Sequence, residues 1–377
     1  MQHDMGGFRA TWEKAEALER LGHRVIVFAP RLTKKPTETK GEVVWYPILD
    51  LPVIRPLLAY LLLFTVPLRA ARDVRPDLIY VTAGLSPLSI LLARLLRCPV
   101  IFELNGDSAH QAKLRGERVR AALARAFYTS ILPKGDGVVV VSEELRLTLK
   151  DQYHLPDERI RVVPNGANLD LMRPLPPPVA RGHIGLEPDC PTVGFAGTFF
   201  HYQGIAILVE AAPLILARFP RVRFLLVGDG EMRQAWEALI QGKGLSTSFH
   251  FTGQVPYRDV ALYINAMDVA LAPLISRRGP TSPLKLFDYW ACGRPVVASD
   301  LQDLGPHLRQ SGGAIPVPPE DPQALADAVC ELLGDEVKRE TLGNSGRHFV
   351  ETQHSWVHVS EQLEQIFCDA LRDGRRE

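Results

Sequence analysis

The sequence predicts an α/β chain of two doubly wound domains, and three observations carry that expectation. Short apolar blocks alternate with helical patterns almost throughout, as strands and their covering helices do in such folds. The alternation lapses once, over a proline-rich stretch at 173–191, and then restarts. The length of 377 residues suits two domains of ordinary size, and an apolar share of 46% is enough for two buried cores.

In the first half the apolar blocks are 24–29 (RVIVFA), 78–82 (LIYVT), 100–104 (VIFEL) and 138–142 (VVVVS). They are continuous rather than alternating, as parallel strands covered on both faces require. Helical periodicity fills the intervals, for example over 8–21 and 119–132. The stretch 173–191 (RPLPPPVARGHIGLEPDCP) cannot hold a regular ladder and reads as a linker. Beyond it, strands are expected at 193–196, 224–227, 250–252, 269–272 and 295–298, with helices over 204–217, 231–241 and 283–291. A last helical run at 357–371 is expected to return to the first domain. The expected division is therefore 1–174, a linker over 175–190, a second domain over 191–355 and a C-terminal helix over 356–377.

The start departs from the usual pattern. A doubly wound domain opens with a strand that feeds its first glycine turn, but here Met5, Gly6, Gly7 and a helix come almost at once. The opening strand is expected to be missing from this chain. Losing an interior strand exposes two edges, so a version extended upstream is expected to be more stable.

Charge and cysteine usage exclude several classes. The chain has 43 basic and 43 acidic side chains, unlike a nucleic-acid-binding protein with its basic excess. Cys98, Cys190, Cys292, Cys330 and Cys368 are far apart and show no Cys-x-x-Cys spacing, so they read as reduced thiols of a cytoplasmic protein. Residues 1–10 are polar and glycine-rich, unlike a signal peptide. The longest apolar run, 56–68 (PLLAYLLLFTVPL), is shorter than the ~20 residues a spanning helix needs, and Pro67 interrupts it. It reads either as a buried helix or as an interfacial helix on an anionic membrane, with Arg55, Arg69, Arg72 and Arg75 close by. In the second case the protein makes peripheral contact with the inner membrane surface.

The segment richest in chemistry is 279–300 (GPTSPLKLFDYWACGRPVVASD). Ser282 suits a helix N-cap and Pro283 the first helical position. Lys285 then falls in the first turn, where a cation opposes the helix dipole unless an anion such as a diphosphate sits there. Asp288 lies three residues on, on the same face, and a carboxylate can accept hydrogen bonds from a ribose diol. Leu284 and Phe287 form the adjacent apolar stripe, and Gly293 closes the helix. Without a ligand the segment reads as a capped surface helix with a Lys–Asp pair. In the first half, Asn105, Asp107 and His110 follow a strand end, where open α/β sheets place ligands. They can bind an acceptor hydroxyl or help to deprotonate it. Asn105 to Asp107 also reads as plain turn chemistry, and His110 as a surface residue. Asp229 and Gly230 read as a tight turn, and Trp12, Trp45, Trp236, Trp290 and Trp356 as packing residues.

The segment 279–300 resembles the signature helix of glycosyltransferase family 4. Gly194–Thr198 (GFAGT) with Gln203 and Gly204 resembles the opening loop of that family's donor domain. LVGDG at 226–230, FTGQVP at 251–256 and DVALAP at 268–273 resemble its next strand ends. In the first half, Gly6–Gly7, GHRV at 22–25, RPD at 75–77 and PNG at 164–166 match as well. The resemblance implies a GT-B fold, two Rossmann-like domains facing each other across a cleft with a C-terminal helix packed back on the first. It implies retaining transfer of a hexosyl-type sugar from a UDP- or GDP-sugar to a glycan or lipid-linked acceptor, with no metal and no cofactor, in polysaccharide or glycoconjugate synthesis. The donor residues it implies are Gly197, Thr198, Gln203, Gly204, Ser282, Leu284, Lys285 and Asp288, with Gln254 and Val255 at the base and Gly6 and Gly7 approaching from the first domain. The candidate catalytic residues are then Lys285 with Asp107 and His110, and the strand-end position makes Asn105, Asp107 and His110 the candidate acceptor side. Asp288 matches the second acidic position of the family's Glu-x7-Glu pair, one methylene shorter. Pro280 stands at the first, and Gln203 stands where the family carries a lysine. Those departures keep two alternatives open: a non-catalytic partner protein on the same fold, or a sugar-nucleotide epimerase using Glu103 and Asp107 as acid and base.

Overall fold

A computed structural model describes residues 6–31, 41–47, 62, 65–70, 74–82, 88–276 and 284–373. They form two compact units that divide between Asn165 and Gly166, and the chain from Trp356 onward rejoins the first unit.

The first unit opens with helix α1 (Gly6–Arg20) and the parallel pair β1 (Ile26–Arg31) and β2 (Glu42–Pro47). It continues through β3 (Ile79–Val81), α2 (Leu88–Leu96), β4 (Val100–Leu104), α3 (Ser108–Leu114), α4 (Arg118–Ser130), β5 (Gly137–Val140), α5 (Glu143–Tyr153) and β6 (Ile160–Val162). Strands β3 to β6 form a parallel sheet in chain order. Every residue of β4 is buried, which is why its sequence is apolar except for Glu103, which is paired with Lys14. Among the described residues no strand precedes α1, and β1–β2 and β3–β6 are separate sheets.

The second unit runs α6 (Pro177–His183), β7 (Thr192–Ala196), α7 (Ile205–Arg218), β8 (Arg223–Val227), α8 (Arg233–Gly242), β9 (Phe249–Gly253), α9 (Tyr257–Asn265), β10 (Val269–Ala272), α10 (Leu284–Ala291), β11 (Val296–Ser299), α11 (Gly305–Ser311), β12 (Ala314–Val317), α12 (Pro322–Gly334) and α13 (Glu336–Gln353). Its six parallel strands lie in the order β12-β11-β10-β7-β8-β9. That order reverses direction between β7 and β10, the switch point at which open α/β sheets open a crevice beyond the carboxyl ends of their strands. Two apolar clusters cover the two sheet faces, one around Phe195, Phe224 and Trp236 and one around Phe287, Tyr289 and Trp290. The Trp290 indole is fully buried and donates to the Gly313 carbonyl at 3.0 Å, so this tryptophan is a packing residue as the sequence suggests. The last helix, α14 (Trp356–Asp373), belongs to the first unit and packs on α1, where Glu364 meets His23 at 2.7 Å.

One expectation needs correction, and another falls mostly outside the described residues. The proline-rich stretch is no spacer: the units divide before it, and it is stitched to the second unit. Arg181, buried on α6, donates to the carbonyls of Ala266 (2.9 Å) and Pro188 (2.8 Å) and pairs with Asp268. Asn265 accepts from the Leu175 N–H at 2.9 Å and donates to the Arg173 carbonyl at 2.8 Å. Prolines remove ladder donors, but side chains satisfy the irregular backbone instead. The apolar run 56–68 lies outside the described residues except at 62 and 65–68, and residues 65–70 are helical with Pro67 among them. Among the described residues no helix is long and apolar enough to cross a membrane.

Candidate functional site

In the second unit the carboxyl ends of β7 and β10 bring together much of what the sequence singles out. The chain leaves β7 at Gly197, whose N–H donates to the Val227 carbonyl at 2.9 Å. It then turns through Thr198 and Gln203 to Gly204, which sits at φ +69° ahead of α7. The GDG turn after β8 supports this loop: the Phe199 N–H donates to the Asp229 carbonyl at 2.9 Å. Asp229 and Gly230 therefore act as a turn, as their sequence suggests.

Helix α10 is fastened against the same loop by a residue that sequence reasoning missed. The Tyr289 hydroxyl accepts from the Ala196 N–H at 2.7 Å and donates to the Ala196 carbonyl at 3.2 Å. Burial holds this phenol well above its ordinary pKa, so it stays a neutral donor and acceptor. The fastening sets the first turn of α10 beside Gly197. The Lys285 ammonium reaches the Gln203 amide oxygen, lies 4.2 Å from the centroid of the Phe195 ring, and is 3.5 Å from where a Cβ on residue 197 would be. A carbonyl dipole and a π face both favour a cation there, which offsets the unfavourable helix dipole.

Asp288 is buried one turn further along α10, and the Tyr257 hydroxyl at the start of α9 donates to it at 3.4 Å. Gln254 is exposed and Val255 half-buried just after β9, at the same end of the sheet. Leu284 is half-buried in the first turn of α10. Pro280, Ser282 and Pro283 lie outside the described residues, so the N-cap expected of Ser282 does too. Phe195, Tyr257 and Tyr289 had no local signal: each is an aromatic residue inside or beside an apolar run.

The first unit holds the remaining candidates. Gly6 and Gly7 open α1. Asn105 is half-buried and His110 exposed. Asp107 is buried and caps α3: one oxygen accepts from the N–H groups of Ala109 and His110, each at 2.9 Å. The Tyr153 hydroxyl reaches both carboxylate oxygens, at 3.2 and 3.1 Å. Glu103 needs a correction. Instead of lining an open site it is buried and paired with Lys14 of α1, beside the Tyr80 hydroxyl, whose pKa burial and this carboxylate push up. A carboxylate locked in a core ion pair is poorly placed to exchange protons with a substrate, so the acid–base role expected of it in the epimerase alternative loses its footing.

Most of the chain is similar to known proteins. Residues 6–171 match the family described as Glycosyltransferase Family 4, and residues 190–335 match the family described as Glycosyl transferases group 1. A phosphatidyl-myo-inositol mannosyltransferase of Mycobacterium leprae is 32% identical over 215 residues, 57% of this chain and 54% of that protein. A D-inositol 3-phosphate glycosyltransferase of Nocardia farcinica is 32% identical over 64% of this chain and 54% of its own length. The matched stretches thus span about half the length of these curated relatives. Among solved structures, sucrose-phosphate synthase of Thermosynechococcus elongatus superposes with a TM-score of 0.78 at 24% identity, covering 98% of this chain and 94% of that one. Anabaena HepE in complex with UDP and glucose gives 0.77 at 17% identity, with 97% and 96% covered. At these identities the structures establish a shared fold, that of the GT-B glycosyltransferases.

Proposed function

The chain belongs to glycosyltransferase family 4, the group 1 glycosyl transferases, and on that footing we propose that it moves a hexosyl-type sugar, with retention, from a UDP- or GDP-sugar to a glycan or lipid-linked acceptor. The observation that carries this reading is the Lys285 ammonium seated between the Gly197 loop, Phe195 and Gln203 at the switch point of the second unit. A diphosphate is the donor's anionic part, and a cation beside a glycine loop suits it. Gln203 stands where the family carries a lysine, yet a positive charge reaches that spot from α10. This favours a working donor site over the non-catalytic alternative.

In the proposed reaction the bond between the anomeric carbon and the diphosphate oxygen breaks, and its electron pair goes to the diphosphate. Lys285 and the first-turn N–H groups of Leu284 and Lys285 stabilise that developing charge. The acceptor hydroxyl bonds to the anomeric carbon on the same face, and its proton passes to the departing phosphate oxygen; no metal takes part in the proposed step. Asp288 accepts from the ribose hydroxyls, while Gln254 and Val255 meet the base through their backbone. On the acceptor side the proposed contacts are Asn105 and the exposed His110, on the turn that Asp107 caps. The setting is polysaccharide or glycoconjugate synthesis in the cytoplasm, with the 56–72 segment as the proposed contact with the inner membrane face.

Tyr257 orients Asp288, so Tyr257→Phe is expected to raise the donor KM by roughly threefold to tenfold with kcat little changed, the loss of one ordinary hydrogen bond. Steady-state kinetics check this. The reading as a whole is tested by thermal shift with a panel of UDP- and GDP-sugars, followed by NMR assignment of the product anomer. Selective stabilisation by one donor and a retained anomer are expected. No shift with any donor would move the conclusion to a non-catalytic partner protein, and an inverted product would remove the front-face step.

A further inference from the structure

The turn that carries Asn105 and His110 is held by two tyrosines of neighbouring helices. Tyr153, the last residue of α5, and Tyr128 of α4 are both buried, with their ring centroids 4.7 Å apart in an edge-to-face arrangement. Helix α5 ends at Tyr153 because His154 follows in the left-handed conformation, φ +55°, and its N–H donates to the Leu149 carbonyl. The Tyr153 hydroxyl shares its proton between the two Asp107 oxygens, at 3.2 and 3.1 Å. The first of those oxygens also accepts from the Ala109 and His110 N–H groups. The Tyr128 hydroxyl accepts from the Ser108 N–H at 2.9 Å. The N–H groups of residues 108, 109 and 110 are therefore fixed by one phenol and one carboxylate, and the carboxylate is itself held by the other phenol. Burial, and then the Asp107 charge, keep the Tyr153 phenol above its ordinary pKa, so it stays a proton donor at neutral pH.

We infer that Tyr153, acting through Asp107, is a positioning residue for the acceptor: the pair sets the backbone of the turn and so the places of Asn105 and His110. This role rests on the proposed acceptor contacts of those two residues and assigns Asp107 a different task from proton transfer. The carboxylate is buried, one of its oxygens takes three donors, and the other faces the Tyr153 hydroxyl. Such a group is built to hold a turn, and taking up a proton would cost it the hydrogen bonds that define the turn. An acceptor hydroxyl bound by Asn105 and His110 must lie within a few tenths of an ångström of its reacting position, so small movements of the turn weaken acceptor capture first.

The test is steady-state transfer by the full chain, from the UDP- or GDP-sugar that stabilises it, to octyl glucoside, octyl galactoside and octyl mannoside. Acceptor KM, donor KM and kcat are taken separately. Tyr153→Phe is expected to raise the acceptor KM by about threefold to tenfold, with donor KM and kcat within about twofold of wild type. Asp107→Ala is expected to raise it by about tenfold or more, and Asp107→Asn, whose amide oxygen still accepts from the two N–H groups, to recover most of that loss. Adding Tyr153→Phe to Asp107→Ala should cost less than about twofold further, because both changes break one clamp. Donor-induced thermal stabilisation equal to wild type verifies that each variant is folded. A wild-type acceptor KM in Tyr153→Phe overturns the positioning role and leaves the proposed function standing. A parallel rise in donor and acceptor KM also overturns it, being the mark of general loosening. Equal losses of kcat in Asp107→Asn and Asp107→Ala would make Asp107 the proton acceptor and overturn it as well. No transfer by wild type to any of the three glycosides would instead count against the acceptor reading itself, and the positioning role would fall with it.

Discussion

Lys285→Ala is expected to lower kcat by about 10²–10³-fold while leaving the fold intact. The ammonium is the group placed to meet charge that develops on the leaving diphosphate, and interactions that strengthen only in the transition state appear in kcat. The side chain is only half-buried at the start of α10, and its packing partners, Phe195 and Gln203, are themselves buried by other contacts. Its removal should therefore leave the melting temperature within about 3 °C of wild type. Lys285→Arg is a useful companion: it keeps the charge but not the fit under Gln203, and an intermediate rate is expected. Wild-type turnover in Lys285→Ala would remove the charge at the switch point from the mechanism.

Gly204→Ala is expected to destabilise the second unit by about 3 kcal/mol or more and to abolish donor-induced stabilisation. A Cβ at this position would lie 1.6 Å from the Pro273 carbonyl oxygen, and the backbone already sits at φ +69°. Both the clash and the conformation act against any side chain. The loops after β7 and β10 close on each other here, and the Ile275 N–H donates to the Tyr202 carbonyl at 3.1 Å just beside them. Pushing those loops apart would move Gln203, and with it the seat of the Lys285 ammonium. The two units need not unfold together, so the measurement is calorimetry with the donor-stabilised transition followed separately. An unchanged transition would mean that the close approach of Gly204 to Pro273 does not hold in solution.

Interior strands are the plainest in the sequence, although the edge strands β3 and β9 are also legible there. Strands β4, β7, β10 and β11 are interior and wholly buried, so their sequences are mostly apolar, broken only by Glu103, Thr192 and Ser299, and are visible without context. Strand β12 contains Pro316, which argues against a strand, but it is the edge of its sheet, where a missing N–H is tolerated. Strand β6 has only three residues, and β2 begins with Glu42 and ends with Pro47, so neither shows a clear pattern. The misreading of 173–191 has a similar origin. Prolines announce the absence of a ladder but not the buried guanidinium of Arg181 that takes its place.

The candidate site divides along the same line. Lys285 and Asp288 were legible because helix-cap signals and i,i+3 spacing are local and sit in one short segment. That Lys285 meets Gln203 was not, since 82 residues separate them. The same holds for Tyr257 against Asp288, Tyr289 against Ala196, and Glu103 against Lys14, whose partners lie 31, 93 and 89 residues apart. Alone, then, the sequence determined the alternation of strands and helices, the division into two α/β units and the helix that carries the lysine and the carboxylate. All of these follow from residue periodicity and the chemistry of near neighbours. Only the tertiary structure decided which side chains meet. Contacts between distant segments depend on strand order, and it is the reversal of that order between β7 and β10 that brings the glycine loop and the lysine helix to one place.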